Sequence, residues 1–553
     1  MNFLKKQSEI VVVLLLTAFL WFPIDMAAQN VGMPTSMDSL AGSNHSGRNW
    51  WDVMHYTLRV VPDIENKSLQ GQVRIKYKVT AEGKQMMIDL QRPLVISKIV
   101  SGKENVPYEQ KGRFCFIGKN GKGRVGQLDS IDIYYSGKPK IAVRPPWDGG
   151  IDWNQDEKGR PWVSTACQGI GASIWWPCKD IQSDEPDNGV DMYYTIPDEL
   201  SAIANGKLID KKPGGKGLTT WHWRVTQPIS NYNVSMNIGY YSDIFQDFTG
   251  QKGNLKVEFY VLDYNVDKGK KLFPEIISML QCFEEKVGPY PFYEDGYKMI
   301  ETAHLGMEHQ SGIAYGNKFL RGYKGSDRSE TGVGLGWDFI LIHESGHEWF
   351  GNSITSADIN DGWIHEGFTT YMETIYTECL SGLDAAQKYV IGQRHIISNK
   401  MPLINQYGVN FDAPGDIYDK GASLIHTIRT IMDDDRKFYQ VLQAMAKKYY
   451  HSTVTSEEVE NFWIQQTGLP LKPIFDQYLR TTQIPTLEYT DNGTSMTLRW
   501  TNVIPDFEMP CLLLLKDGGR KWVKVTEHPV SIKLDTAFDR WDPNMYCHYK
   551  EIK

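Results

Sequence analysis

The chain has 553 residues, which exceeds what one hydrophobic core usually supports, so we expect roughly two to four domains. Apolar residues make up 41% and aromatic residues 12% of the sequence, and this composition excludes an intrinsically disordered chain. The formal net charge of −8 is spread along the sequence without a run of Lys and Arg, so a nucleic acid is not an expected partner.

The N-terminal residues 1–28 have the pattern of a secretory signal peptide. Two lysines precede an apolar run over 10–22, and Ala27 and Ala28 follow it as small residues that suit cleavage. The run is shorter than the roughly 20 apolar residues of a membrane-crossing helix, so we expect no stable membrane span after the signal is removed. An uncleaved anchor is the alternative. The sequence therefore predicts a periplasmic or secreted protein, with a linker over 29–47.

Three regions with different residue patterns follow the linker. Residues 48–245 alternate between apolar and polar side chains and are punctuated by Gly and Pro, which predicts a β-sandwich-like N-terminal domain. Residues 246–483 show helical spacing, and Thr455 with Glu458 forms a capping-box pattern at the start of one helix. Residues 484–553 return to strand-like patterns and predict a small C-terminal β domain. The expected fold is therefore multidomain α+β.

Seven cysteines are scattered along the chain without the repeated short spacings of a zinc ribbon or a disulfide-dense scaffold. In an oxidising compartment Cys167 could pair with Cys178, and Cys511 could pair with Cys547. The spacing leaves the connectivity open, and the odd count leaves at least one thiol outside any intramolecular pair.

The segment LIHESGHEWFGN contains the motif H-E-x-x-H, formed by His343, Glu344 and His347. Two histidines four residues apart project from the same face of an α-helix, and neutral imidazoles are good zinc ligands. Glu344 follows the first histidine directly, so its carboxylate can act as general base toward a water molecule at the metal. A surface helix that carries these residues by chance is the alternative.

A third candidate ligand lies on the following predicted helix. Eighteen residues separate His347 from Glu366, and a catalytic zinc site needs three protein ligands with one open position. Glu373 lies two turns further along the same face, where a carboxylate can orient a ligand histidine. A solvated helix carboxylate is the alternative for Glu373. His365 points about 100° away from Glu366 and is expected to pack or to face solvent.

The sequence resembles the gluzincin zinc aminopeptidases, the family of aminopeptidase N and leukotriene hydrolase. The resemblance is carried by H-E-x-x-H, eighteen residues and then Glu within W-x-x-E-G-F. Three further segments resemble the family in the same chain order: STACQGIGASIWWPCKD, YPFYEDGYKMIETAHLGMEHQSG and DIYDKGASLIHTIRT. This resemblance implies a thermolysin-like catalytic domain over 246–483, with one Zn²⁺ per chain held by His343, His347 and Glu366.

The resemblance also implies roles in substrate binding and catalysis. Glu308 falls where the family has the glutamate that binds the free α-amino group of the substrate, and Gln168 falls at a second amine-binding position. Tyr418 matches the catalytic tyrosine, whose hydroxyl donates to the oxyanion of the tetrahedral intermediate.

Two positions depart from the family pattern. Gly306, Met307 and His309 flank Glu308 in the exopeptidase motif and are expected to contact the substrate backbone, but His309 stands where the family has Asn. Ala166 replaces a glutamine that is common two residues before the Gln168 position. These departures concern backbone recognition and side-chain preference, not the metal chemistry.

The sequence therefore predicts a zinc aminopeptidase that hydrolyses the N-terminal bond of peptides with a free N-terminus, with Glu344 as the general base. One alternative is an epoxide hydrolase, or a dual-function enzyme, on the same scaffold. A second alternative is a non-catalytic peptide-binding relative. Such relatives usually lose a metal ligand or the base, whereas this sequence retains all of them.

Overall fold

The computed structural model describes residues 34–83, 85–119, 123–411 and 413–552. The predicted signal peptide over 1–28 lies outside these residues. Within the described ranges, no helix combines the length and the apolar character that a bilayer crossing requires. The expected multidomain α+β architecture is confirmed: a β-rich N-terminal region, a helical middle region and a C-terminal β region follow one another.

A short helix, α1 (Ser36–Gly42), lies in the stretch that the sequence predicts to be a linker. Thr35 caps this helix by accepting a hydrogen bond from the backbone of Asp38, and the Asp38 carboxylate accepts one from the backbone of Thr35 in return. Seven residues are too few to display a helical apolar period, so the sequence pattern gives no signal for α1.

The N-terminal region consists of strands that form sheets of eight, four and three strands. These strands are β1 (Trp51–Asp63), β2 (Ser68–Val79), β3 (Met86–Asp89), β4 (Val95–Ser101), β5 (Glu104–Asn105), β6 (Tyr108–Lys111), β7 (Phe114–Ile117), β8 (Leu128–Gly137), β9 (Gly150–Gln155), β10 (Pro161–Ala166), β11 (Val190–Pro197), β12 (Ser201–Ile203), β13 (Lys207–Gly215), β14 (Leu218–Val225) and β15 (Asn237–Gly239).

The large sheet has the strand order β13-β14-β11-β1-β2-β8-β4-β5, and the smaller sheets have the orders β12-β15-β10-β9 and β3-β7-β6. In β2 the buried side chains of Val73, Ile75 and Tyr77 alternate with exposed charged residues, as expected for a strand with one solvated face. The apolar faces of the sheets enclose a core that also includes Ile300, Met307 and Ala314 of the middle region and is distinct from the larger core of the rest of the chain.

The middle region begins with a five-stranded sheet of order β16-β17-β18-β20-β19. Its strands are β16 (Tyr241–Gly250), β17 (Gly253–Leu262), β18 (Tyr297–Glu301), β19 (Gly306–Met307) and β20 (Ile313–Tyr315). The hairpin of β16 and β17 belongs to this sheet, so β16 crosses the predicted domain boundary at 245/246.

Eight helices and a two-stranded sheet complete the described part of the middle region. They are α2 (Val266–Lys286), α3 (Phe339–Gly346), β21 (Ile354–Ser356), α4 (Trp363–Ser381), α5 (Leu383–Gly392), α6 (Asp419–Met432), α7 (Asp435–Lys448), β22 (Ser452–Val454), α8 (Ser456–Thr467) and α9 (Lys472–Arg480). The predicted capping box of Thr455 and Glu458 is present at the start of α8.

Helix α4 packs against α3 on one side and against α6 on another. Gly367 of α4 and Gly421 of α6 meet backbone to backbone, since a Cβ atom on Gly421 would lie 2.8 Å from the Cα atom of Gly367. A side chain at either position would separate the two helices. This close approach brings the N-terminal ends of α4 and α6 together.

The C-terminal region forms two small sheets, β27-β24-β23-β29 and β26-β25-β28. Its strands are β23 (Thr486–Asp491), β24 (Ser495–Thr501), β25 (Glu508–Leu515), β26 (Arg520–Thr526), β27 (Val530–Lys533), β28 (Phe538–Trp541) and β29 (His548–Glu551). Buried residues of this region, such as Trp500 and Met509, share one apolar core with Ile474 and Phe475 of α9. The C-terminal region is therefore packed onto the helical region.

A disulfide bond joins Cys282 of α2 to Cys379 of α4. The pairings considered from the sequence are wrong, because all four of their cysteines are free thiols. The free cysteines are Cys115, Cys167, Cys178, Cys511 and Cys547. The two bonded residues are 97 positions apart, and only the packing of α2 against α4 brings them together. Sequence spacing carries no information about such a contact.

Replacing Cys282 and Cys379 together by serine should lower the thermal unfolding temperature, because the cross-link closes a 97-residue loop in the unfolded chain. The chain-entropy model sets the loss at about 4–5 kcal/mol or less. Thermal unfolding followed by circular dichroism with and without reductant measures the effect. Reductant should destabilise the wild type and leave the double variant unchanged; equal melting temperatures under oxidising conditions would contradict the pairing.

Candidate metal centre and active site

Helix α3 carries the two histidines of the H-E-x-x-H motif, and its start is fixed to the five-stranded sheet. Asp338 caps α3, and its carboxylate also accepts hydrogen bonds from the Tyr315 hydroxyl at 2.6 Å and the Asn317 amide at 2.8 Å. The helix ends at Gly346, but His347 keeps right-handed helical angles, with φ −62° and ψ −20°. The two imidazoles of the motif therefore stay on the same side of the chain.

Three buried donor atoms converge between α3 and α4. The Nε2 atoms of His343 and His347 are 3.3 Å apart, and the Oε2 atom of Glu366 lies 3.5 and 3.3 Å from them respectively. Glu366 Oε2 has no hydrogen-bond partner in the part of the chain that the structure describes. Two imidazole nitrogens and one carboxylate oxygen are the type and number of ligands that a catalytic zinc ion takes. These residues therefore fit Zn²⁺.

The outward-facing ring nitrogens of the two histidines are engaged in hydrogen bonds. His343 Nδ1 lies 2.7 Å from Glu373 Oε1, and the other oxygen of Glu373 accepts from Tyr389 at 2.6 Å and Gln393 at 3.1 Å. His347 Nδ1 donates to a main-chain carbonyl at 3.0 Å. This leaves both Nε2 lone pairs free for a metal. Glu373 is fully buried, so it is not a solvated helix carboxylate.

His365, the residue before Glu366, does not face the metal cluster. Its ring is buried, and its Nε2 atom accepts a hydrogen bond at 2.7 Å from the backbone of Ser356 in β21. Burial lowers the pKa of this imidazole to about 4, which keeps it neutral. His365 therefore packs between α4 and β21 and does not face solvent. Packing was one of the two outcomes expected from the sequence.

Glu344 lies against the backbone of β19. A Cβ atom on Gly306 would be 2.6 Å from Glu344 Oε1, so only glycine leaves space for the carboxylate. Atoms of Glu344, Glu308 and His347 lie within 4.8 Å of one another. Burial, reinforced by the carboxylate of Glu308, raises the pKa of Glu344 above its ordinary value.

Glu308 lies where the N-terminal and middle regions meet. Its Oε1 atom accepts hydrogen bonds from Gln168 Nε2 at 2.5 Å and from the Tyr232 hydroxyl at 3.1 Å, and both donors belong to the N-terminal region. Gln168 Nε2 also lies 3.4 Å from Glu366 Oε1. Burial raises the pKa of Glu308, so a cationic group is the natural partner for this carboxyl.

Tyr418 lies at the N-terminus of α6. Its ring stacks on the imidazole of His343, with 5.9 Å between centroids and 20° between planes. Burial and the nearby carboxylates of the cluster raise the pKa of this hydroxyl well above its ordinary value. Tyr418 therefore remains a hydrogen-bond donor at physiological pH.

The cluster opens into a cavity of about 670 Å³ between the two regions. Gly306, Met307 and Glu308 line this cavity with the metal-binding residues, but His309 does not. The His309 side chain is buried away from the cavity, so the expected contact with the substrate backbone stays a prediction. A turn in which His309 N donates to Met307 O at 2.9 Å directs the ring into the interior. There its two nitrogens have no partner among the described residues, and burial lowers its pKa to about 3.

Two protein-family models match the chain. One, described as the Peptidase family M1 domain, matches residues 277–478, and the other, the Peptidase M1 N-terminal domain, matches residues 53–233. Together they cover more than half of the chain. The chain belongs to peptidase family M1. Zn²⁺ is the cofactor of this family, and the donor set described above fits it.

Curated relatives of this M1 chain include three aminopeptidases or related hydrolases. Aminopeptidase M1-D of Oryza sativa subsp. japonica is 24% identical over 62% of this chain, and endoplasmic reticulum aminopeptidase 1 of Homo sapiens is 26% identical over 60%. Leukotriene A-4 hydrolase of Xenopus laevis is 23% identical over 70% of this chain. The matches span 40%, 35% and 62% of the relatives' own lengths, so this chain covers less than two thirds of each.

The fold of this M1 chain is similar to that of an M1 zinc metallopeptidase from Deinococcus radiodurans, whose structure was solved with a Tyr-Ser-Ala substrate. The TM-score is 0.65 at 21% identity, and the match covers 79% of this chain and 96% of the other. The likeness establishes the shared arrangement of a β-rich N-terminal region and a helical region.

Sequence patterns miss several residues that shape the site of this M1 chain. Tyr232 contacts Glu308 across 76 positions of sequence, and Tyr389 and Gln393 hold Glu373 from α5 and the turn after it. The first contact joins elements that are distant in the chain, and the other two join α4 to the helix and turn that follow it. Isolated tyrosine and glutamine residues carry no motif that could reveal such contacts.

Replacing Gly306 by alanine should lower kcat for peptide hydrolysis by roughly a hundredfold, because the new Cβ atom would displace the Glu344 carboxylate. Zinc content should stay at the wild-type level, because the substitution touches no ligand. Steady-state kinetics and metal analysis of the same preparation measure both quantities. Gly336→Ala is the matched control, since its Cβ would meet only a Leu380 side-chain atom at 3.8 Å. Full activity in Gly306→Ala would show that the position of Glu344 is not critical.

Proposed function

We propose that the protein is a zinc-dependent aminopeptidase that hydrolyses the N-terminal peptide bond of peptides with a free N-terminus. The observation that carries this proposal is the position of Glu308, whose carboxylate lies within 4.8 Å of Glu344 and His347 in one buried cluster. A buried carboxylate attracts the α-ammonium group of a peptide. The short distance to the metal ligands leaves room for one residue between that ammonium and the scissile carbonyl.

The residues of the cluster supply the steps of peptide hydrolysis. His343, His347 and Glu366 would hold Zn²⁺, which would supply the Lewis-acid chemistry that polarises a carbonyl and lowers the pKa of water. Glu344 takes a proton from the attacking water and passes it to the leaving amine. Tyr418 donates a hydrogen bond to the oxyanion that develops as the carbonyl becomes tetrahedral.

The amine-binding end of the cluster is held from the N-terminal region. Tyr232 and Gln168 both donate to Glu308 Oε1, which leaves Glu308 Oε2 available to accept from a substrate ammonium. The amide oxygen of Gln168 can accept a further hydrogen bond from the same ammonium. An endopeptidase has no need of this arrangement, because it binds chains on both sides of the cut bond.

The two alternative functions receive less support. A protein that only binds peptides does not need a general base, yet Glu344 lies in the cluster with Glu308 and His347. The epoxide-hydrolase alternative is consistent with the similarity to a leukotriene A-4 hydrolase, but no feature of the described residues favours an epoxide over a peptide.

Purified protein should release the chromophore from aminoacyl anilides, lose this activity with a chelator and regain it with Zn²⁺. N-acetylated versions of the same anilides should not be cleaved, because acetylation removes the ammonium that Glu308 binds. Absorbance assays of matched free and acetylated substrates measure the difference. Cleavage of both forms at similar rates would refute the aminopeptidase proposal.

Two isosteric substitutions test the role of Glu344 as general base separately from the role of Glu308 in binding the substrate amine. Glu344→Gln should reduce kcat by roughly a thousandfold with zinc retained, because general base catalysis is lost. Glu308→Gln should reduce kcat/KM for free anilides by roughly ten- to a hundredfold, mainly through KM. The same change at Glu294, an exposed residue, is the matched control and should leave the kinetics unchanged. Wild-type kcat in Glu344→Gln would overturn the assignment of the base.

We also propose that the protein works outside the cytoplasm, in the periplasm or after secretion. Support comes from the signal-peptide pattern over 1–28 and from the disulfide between Cys282 and Cys379, since such bonds persist in oxidising compartments. N-terminal sequencing of the protein isolated from its native cells should give a mature start near Gln29. A mature protein that retains Met1 and remains in the cytoplasm would contradict this proposal.

A further inference from the structure

Helix α1 borders the cavity that contains the metal-binding residues. Ala41 and Gly42, at the C-terminal end of α1, line this cavity together with Val409 and Asn410 from the loop before α6. None of these four residues has a part in the chemistry proposed above. Their position raises the question of what α1 does at the edge of an active site.

A buried arginine ties α1 to the N-terminal region. The Arg48 guanidinium donates hydrogen bonds to the main-chain carbonyls of Ala41 at 2.8 Å, Leu40 at 3.1 Å and Ser43 at 3.2 Å. It also forms a fully buried ion pair with Asp89 of β3. A buried guanidinium is stable only when it is paired and its donors are satisfied. Arg48 therefore holds the C-terminal end of α1 in place.

The other side of α1 contacts the middle region directly. Asn410 N donates to the carbonyl of Asp38 at 2.9 Å. A Cβ atom on Gly42 would lie 2.4 Å from Asn410 N and from the carbonyl carbon of Val409, so the two backbones touch without an intervening side chain. Helix α1 thus bridges the two regions that form the cavity.

The loop that receives α1 is itself anchored beside the metal ligands. Gly408 N donates to Asp358 Oδ2 at 2.8 Å, and the Tyr407 hydroxyl donates to Asp361 Oδ1 at 2.9 Å. Asp358 and Asp361 belong to the turn directly before α4, which carries Glu366. Because both of its supports are fixed, α1 forms a wall of the cavity and not a loosely attached tail.

We propose that α1, docked on Val409 and Asn410, limits the length of the peptides that the enzyme accepts. This inference rests on the proposed aminopeptidase function, in which Glu308 holds the amino end of the substrate. Every residue after the first then extends from the metal ligands into the rest of the cavity, whose whole volume is about 670 Å³. A cavity of this size suits a ligand as large as a drug molecule, which corresponds to a peptide of a few residues.

The substrate class that follows is short free peptides, not the N-termini of folded proteins or long unfolded chains. A long chain has to leave the cavity past the metal ligands, and α1 closes one side of that space. The restriction comes from steric exclusion, so it should affect all long peptides irrespective of their composition.

The test compares peptides of two, three, six and ten residues that share their first two residues. For each peptide, kcat/KM is measured from release of the first amino acid, with the full-length protein and with a variant that lacks residues 36–42. The wild type should cleave the tripeptide at least about tenfold better than the decapeptide, and the deletion should reduce this ratio to about threefold or less. The ratio within each protein removes any general effect of the deletion on activity.

A point variant covers the possibility that the deletion impairs folding. Gly42→Leu keeps Arg48 and its ion pair but forces α1 away from Val409 and Asn410, so the tripeptide-to-decapeptide ratio should fall in the same direction. Met37→Ser is the matched control, because this α1 side chain is 50% exposed, and it should keep the wild-type ratio.

The possible outcomes distinguish this inference from the function on which it rests. A wild type that cleaves tripeptide and decapeptide equally well, or folded variants that keep the wild-type ratio, would overturn the role of α1 while the aminopeptidase proposal stands. No cleavage of any length by the wild type would overturn both. A reduced ratio in either α1 variant, together with an unchanged ratio in Met37→Ser, supports the inference.

Discussion

The burial of several ionisable side chains in one small volume between α3 and α4 is the constraint on which the rest of the structure depends. Imidazoles and carboxylates lose solvation when they are buried, and their charged forms are costly unless each group is paired, hydrogen-bonded or bound to a metal. His343 and His347 meet this condition through fixed partners on their outer nitrogens, and Glu366 presents an oxygen that has no partner among the described residues and is available to a metal ion. The packing of α4 against α3 and α6 holds these groups close together.

The division of the site between two regions supports the proposal that the metal-binding cluster acts at one end of a peptide. The helical region by itself contains the three metal ligands and Glu344. Gln168 and Tyr232 reach across from the N-terminal region and hold Glu308 beside them. The interface between the regions therefore positions Glu308 in the site. Helix α1, held by the buried Arg48, extends the same interface along the cavity.

The metal ligands and the general base were easier to predict from the sequence than the residues that contact them. Metal ligands and bases have to be particular residue types at spacings that helices impose, so His343 and Glu366 could be recognised without coordinates. His309 shows the limit of this reasoning: it lies within a recognisable motif, but a turn of the backbone directs its ring into the interior. The pairing of Cys282 with Cys379 could not be predicted from the sequence either, since it depends on which two helices pack together.

The sequence by itself determined the order of β-rich, helical and β-rich regions, the helix with two histidines on one face and the acidic ligand on the next helix. These features depend on periodicity and on spacing within one or two elements, which are local properties of the chain. Only the tertiary structure decided that Tyr232 supports Glu308, that Gly306 leaves space for Glu344 and that α1 borders the cavity. Each of these relations joins residues far apart in sequence, and folding alone brings such residues into contact.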